Sequence, residues 1–230
     1  MEKYFNKGKL TIRAALYLDA ILISFVMGFS APITVQYFVS HVTPELISSL
    51  AIVLKIGGVL ISYIKQSKKA IRWIADNFIK LMIICDCTYL FLALTGESNP
   101  EMRYILYNLI GVLGVKLLQS VKKDNIANCL KGTAIINFSA KCDTCGLIAA
   151  LAGAGMCVIV LQLYPISITT CMLIETIGCM LGHWNQAYAN KRIREIKPNI
   201  ESFSLVEVIN DLAKDKKDKT QKEEDSIFDQ

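Results

Sequence analysis

Six stretches of this chain are long and apolar enough to cross a membrane as helices. No other feature of the sequence narrows its fold as much. A hydrocarbon core ~30 Å thick is spanned by about 20 residues of helix. Residues 14–39, 46–64, 74–95, 103–121, 137–163 and 166–188 each meet that length. Hydrophobic residues make up 53% of the 230, and mean hydropathy is +0.41. Soluble domains are about 45–50% apolar even with glycine counted, and they do not gather the excess into runs. The gaps between runs are short, so neighbouring helices should be antiparallel. The expected fold is all-α: a polytopic membrane protein with a six-transmembrane-helix bundle over residues 14–190. Residues 1–13 form a basic N-terminus and residues 191–230 a polar tail.

Basic residues set the expected orientation. Lys3, Lys7, Lys9 and Arg13 precede the first run, and Lys65, Lys68, Lys69 and Arg72 lie between the second and third. Lys122, Lys123 and Lys131 separate the fourth and fifth, and Lys191, Arg192, Arg194 and Lys197 follow the sixth. The alternate loops, 40–45, 96–103 and 164–167, hold only Arg103. Cytoplasmic loops are the lysine- and arginine-rich ones, so both termini are expected in the cytoplasm. A plasma membrane, the bacterial inner membrane, is the expected location. The first run is too long for a cleavable signal and should act as a signal anchor. The net charge of +5 is scattered in short clusters between apolar runs, which argues against nucleic acid as a partner.

Cys142 and Cys145 form a C-x-x-C pair, which in a soluble protein suggests zinc or a redox dithiol. Here the pair enters the fifth run, and no second pair or histidine pair lies in the basic segments. No metal and no cofactor is expected. Gly146, Ala150 and Ala154 follow at intervals of four, beside Ala149, Gly153 and Cys157. Small residues at that spacing let helix backbones approach closely, so the stretch reads mainly as a packing ridge. In the tail, Phe203, Leu205, Val206, Val208, Ile209 and Leu212 have helical spacing over 202–214. From Lys214 onward the composition is that of a disordered end. Trp73, Trp184, Tyr104 and Tyr188 fall at run ends, as interfacial aromatic belts do.

Ionisable residues inside the runs are the candidate site. Each costs ~2.5–3.5 kcal/mol or more at mid-membrane unless paired or hydrated. Asp19 lies roughly 7–8 Å into the first run at 1.5 Å per residue; it, Lys80 and Lys116 are near enough to an end to read as interfacial. Lys55, Asp86 and Glu175 are near mid-depth. The expected resolution is a pairing of Lys55 with Asp86, Glu175 or both, leaving a titratable carboxylate as proton-coupled carriers require. The bland alternative is a structural ion pair that fixes helix register. Asp143 should pair with Lys141 or face a cavity, Gln36 and Asn108 are possible polar contacts, and His183 reads as a hydrogen-bonded helix residue.

The run KKDNIANCLKGTAIINFSAKCDTCGLIAALAGAG (122–155) leads from a basic loop into a Gly/Ala-rich fifth helix. In this it resembles the N-terminal half of major facilitator superfamily transporters. That family's loop motif between helices two and three is G-x-L-x-D-R-x-G-R-R. Here the place reads GVLISYIKQSKK (58–69), matching at Gly58 and Leu60 with a basic end at Lys68 and Lys69. Ser62 stands for the motif acid and Lys65 for its second glycine. The family joins two six-helix halves around its substrate, and this chain supplies one. The resemblance implies a half-facilitator-like unit that moves a small polar or ionic solute as a homodimer or with a second membrane protein. The other reading is a non-transporting immunity, regulatory or assembly protein that binds another membrane protein. No nucleophile–base pair or paired-acid phosphotransfer motif points to an enzyme.

Overall fold

In a computed structural model, residues 11–95, 99–130 and 133–196 are described, and every regular element among them is helical. The basic residues 1–10 and the tail helix expected at 202–214 lie outside the described residues. The elements are α1 (Ile12–His41), α2 (Pro44–Ile64), α3 (Lys68–Asp76), α4 (Phe78–Leu94), α5 (Pro100–Asn108), a π-helical segment (Leu109–Gly114), α6 (Val115–Cys129), α7 (Thr133–Leu163) and α8 (Ile168–Ile196).

Local chemistry accounts for the boundaries. The Thr11 hydroxyl caps α1 by accepting from the Ala14 amide at 3.1 Å. α2 opens with Thr43 as cap, Pro44 in the first turn and Glu45 beside the helix N-terminus, each favourable there. Asn99 and Pro100 repeat the device at α5. Between α3 and α4 the chain bends by 68° at Asn77, whose side-chain amide donates back to the Trp73 carbonyl at 3.0 Å. The third apolar run is therefore not the straight helix its composition suggests. α3 is amphipathic, burying Ile71, Ile74 and Ala75 and exposing Arg72 and Trp73.

Among the described residues four helical stretches are long and apolar enough to cross a membrane: α1, α2, Pro100–Ala127 and α7. The bent α3–α4 pair would make a fifth. α8 is as long as α1 within a residue. Glu175, His183, Asn185 and Gln186 break its apolar run, and it falls short by the same measure.

α1 and α8 form the centre. α1 is flanked by α7 and α8, while α8 also packs on α4 and α6. At one end Phe38, Val42, Leu92, Cys157, Ile168 and Cys171 cluster. At the other, which carries the basic residues, Ala15, Leu16, Ile126, Phe138, Cys142 and Ala189 do. The α1–α7 seam is closed by missing side chains. A Cβ at Gly28 would overlap the Ala150 carbonyl, and one at Gly153 would overlap the Phe25 carbonyl. Gly146 faces Ser24 on the same seam, and Ala154 is half-buried beside it. On α8, Gly178 admits Val26 and Gly182 admits Ile23. α2 stands apart: Leu50 and Ile61 are its only buried residues, and Ile52, Val53, Ile56, Val59 and Leu60 point outward.

A candidate polar column along helix α8

One face of α8 is polar and buried. Cys171, Glu175, Cys179, His183, Gln186 and Asn190 recur at intervals of three or four, the spacing that keeps side chains on one side of a helix. Glu175 and His183 are each 1% exposed. Burial of such groups is tolerable only when each meets a hydrogen-bonding partner, and the surrounding helices supply them in sequence along the axis.

Toward the Phe38 end, the Tyr107 hydroxyl donates to both carboxylate oxygens of Glu175, at 2.8 Å and 3.1 Å. Ser30 of α1 lies alongside that carboxylate. In the middle, His183 Nδ1 and Asp86 Oδ1 are 2.9 Å apart. His183 Nε2 is buried and has no protein partner among the described residues. Nearer the basic end, the Lys122 ammonium donates to Asp19 Oδ2 at 2.7 Å, and Asp19 Oδ1 has no protein partner among the described residues. The Asp19 carbonyl backs onto Gly182, which puts its carboxylate within electrostatic range of His183. Below this, Gln186 donates to the Leu118 carbonyl at 2.7 Å and Asn190 to the Ala75 carbonyl at 3.1 Å. Arg194 pairs with Asp76 at the surface.

The helices that frame the column carry irregularities where they meet it. The π-helical segment lies just after Tyr107; π turns inside α-helices are frequent at functional sites. Its Gly111 makes room for the Tyr89 hydroxyl, and Gly114 for the Cys85 sulfur. Pro32 interrupts α1 two residues from Ser30, removing one backbone donor.

Of the candidates named from sequence, Asp19, Asp86 and Glu175 enter this column. Lys55 does not, and the expected pairing is corrected: Asp86 takes His183 and Glu175 takes Tyr107. Lys55 points outward from α2 and has no ion pair among the described residues. α2 touches only the π segment and α5 to any extent, so its side chains do not reach α8. Gln36 and Asp143 are also exposed; Asp143 does not pair with Lys141 and does not face the column. Asn108 donates to the Tyr104 carbonyl of its own helix at 2.9 Å. Asp19, read as interfacial, is buried at 3% exposure, because α6 brings Lys122 over it.

Tyr107, Lys122, Gln186, Asn190 and Ser30 were not candidates, and His183 was expected only as a hydrogen-bonded helix residue. Lys122 had counted only toward orientation. Arg103, counted as an outer-loop charge, is buried with its guanidinium over the Tyr37 ring at 5.7 Å. The signal that would have found much of the column is the polar stripe on α8 itself. Cys142 is buried in the cluster at the basic end and Cys145 half-buried, and both are free thiols. Among the described residues no three His, Cys, Asp or Glu side chains converge as a metal would need.

No protein-family model matches the chain, no curated protein matches it, and no solved structure matches it.

Proposed function

We propose that this protein is one half of a membrane carrier, similar in plan to a six-helix facilitator half. It moves a small polar or ionic solute, as a dimer, with proton movement along the α8 column. α8 serves as the sixth span, shielded from lipid by the other helices, and both termini face the cytoplasm as the lysine and arginine distribution requires. One observation carries the reading: three of the buried carboxylates, Asp19, Asp86 and Glu175, stand at three levels along α8, on Lys122, on His183, and on Tyr107 with Ser30 alongside. Packing alone favours apolar residues of similar volume at such positions. Ionisable groups within membrane helices commonly mark ion and proton pathways. Asp19 Oδ1 and His183 Nε2, buried and without protein partners among the described residues, are two polar atoms at the level where the column passes from Asp86 to Lys122.

The test is flux. The full chain is reconstituted in liposomes holding a pH-sensitive dye, a potassium diffusion potential is imposed, and a panel of small cations and anions is added outside. Wild type should acidify or alkalinise the lumen with at least one member, and Asp86→Asn or His183→Ala should abolish that response. A wild-type signal equal to that of empty liposomes across the panel overturns the proposal.

The second reading, a non-transporting protein that binds another membrane protein, is favoured by the bare face of α2. A stable monomer in nanodiscs that carries no flux would move the balance to it.

A further inference from the structure

Beside the exposed face of α2 runs a groove of about 620 Å³, lined by Leu54, Lys55, Gly58, Val59, Ser62 and Lys116. Two of its six lining residues are lysines and none is acidic. The Lys116 side chain crosses from α6, and its ammonium lies 3.8 Å from where a Cβ of Gly58 would be. The cation thus lies in ordinary contact range of the α2 backbone at Gly58. One turn beyond Ser62, at the basic end, is Lys65. Its pKa is lowered by partial burial and then by the nearby Lys123 and Lys116 ammonium groups. Four lysines therefore run from the basic end up the groove. None of them has an ion pair among the described residues.

Like charges held together beside an apolar helix are costly unless an anion joins them. A second copy docked by the same face would bring its own lysines and add repulsion. A carboxylate on a partner helix would meet one ammonium and leave the rest. A phosphate offers several acceptor oxygens to several lysines at once, and lysine-lined grooves near the cytoplasmic side of membrane helices suit phosphorylated headgroups. We propose that the basic end of the α2–α6 groove is a binding site for a phosphate-bearing anion, held by Lys65 and Lys116 with Lys123 beside them, while Lys55 lines the groove further from that end. The same chemistry comes from two sources, an anionic phospholipid headgroup or a free phosphate. The site stands whether or not the chain transports.

The full chain in nanodiscs of zwitterionic phosphatidylcholine is titrated with phosphatidylglycerol, followed by native mass spectrometry. In a parallel arm it is titrated with inorganic phosphate, followed by calorimetry. The comparison is Lys65→Gln/Lys116→Gln against wild type, with Lys191→Gln as a charge control on α8 and Lys65→Arg/Lys116→Arg as the rescue. Expected is binding of one of the two ligands, weakened about tenfold or more in the glutamine variant and kept in the control and the rescue. Saturable phosphatidylglycerol alone identifies a headgroup site, and saturable phosphate alone a free-anion site. If neither ligand distinguishes wild type from the glutamine variant, the proposal is overturned. It is also overturned if Lys116 crosslinks instead to a carboxylate of a co-purifying membrane protein while both ligands fail to bind. Should the double variant not fold, Lys116→Gln alone, on an exposed position, makes the same comparison.

Discussion

α8 and α2 solve opposite problems with similar numbers of apolar residues around a few charges. α8 is too polar to count as a span by hydropathy, yet it is among the most enclosed helices, with thirteen buried residues. α2 is among the most apolar, yet only two of its residues are buried. The polar groups of α8 are turned inward onto partners, and the cation of α2 is turned outward onto none. Hydropathy thus ranks helices by what they would lose in water, not by where they stand in the bundle. A helix ringed by others can carry Glu175 and His183, because the ring supplies Tyr107 and Asp86 in place of water.

The comparison breaks most directly at its polar centre. Asp86→Ala should cost about 3 kcal/mol of unfolding free energy, since it leaves His183 buried with neither ring nitrogen satisfied. Denaturant titration in mixed micelles reads this. A loss below about 1 kcal/mol would mean that the column is hydrated and not built of paired groups. Next comes the close approach of α8 to α1. Gly178→Leu places a side chain on top of Val26 and should cost about 2 kcal/mol by overpacking. Tyr107→Phe removes the donor on Glu175 while keeping the ring against Phe38 and Tyr89. It should cost about 1 kcal/mol, and the same titration checks it. If Tyr107→Phe proved as damaging as Asp86→Ala, the Glu175 carboxylate would be ionised and wholly dependent on that hydroxyl.

The long runs were legible because composition and length alone decide them: α1, α2 and α7 begin and end within a few residues of where the apolar stretches do. The bend at Asn77 was not, because it depends on one side-chain amide folding back on the preceding turn. Asp86 and Glu175 were legible as anomalies in apolar surroundings. Their partners were not, since Tyr107 lies 68 residues from Glu175 and His183 97 residues from Asp86. Lys55 was the natural partner by charge and depth. Charge and depth fix how far a residue lies along its helix but not which way the helix is turned. The polar stripe on α8 carries that rotational information, in the i, i+4 recurrence from Cys171 to Asn190. Lys122 shows the converse: a lysine that serves a topology rule can also reach back into the bundle and neutralise an acid.

The smallest expected effect tests the α2 side. Gly58→Ala puts a methyl group at ordinary contact distance from the Lys116 ammonium, with no other atom within 4 Å. Alanine is a better helix former than glycine by about 1 kcal/mol at most. Stability should therefore change by only about 0.5 kcal/mol and in the favourable direction, against the loss expected at Gly178. Lys55→Leu on the same face should be equally silent in unfolding measurements, because no group in the chain loses a partner. The pair matters because both helices carry glycines and charges at similar depth. If Gly58→Ala destabilised the chain as Gly178→Leu does, α2 would be packed against something in the folded state, and its outward face would be an interface within a larger assembly.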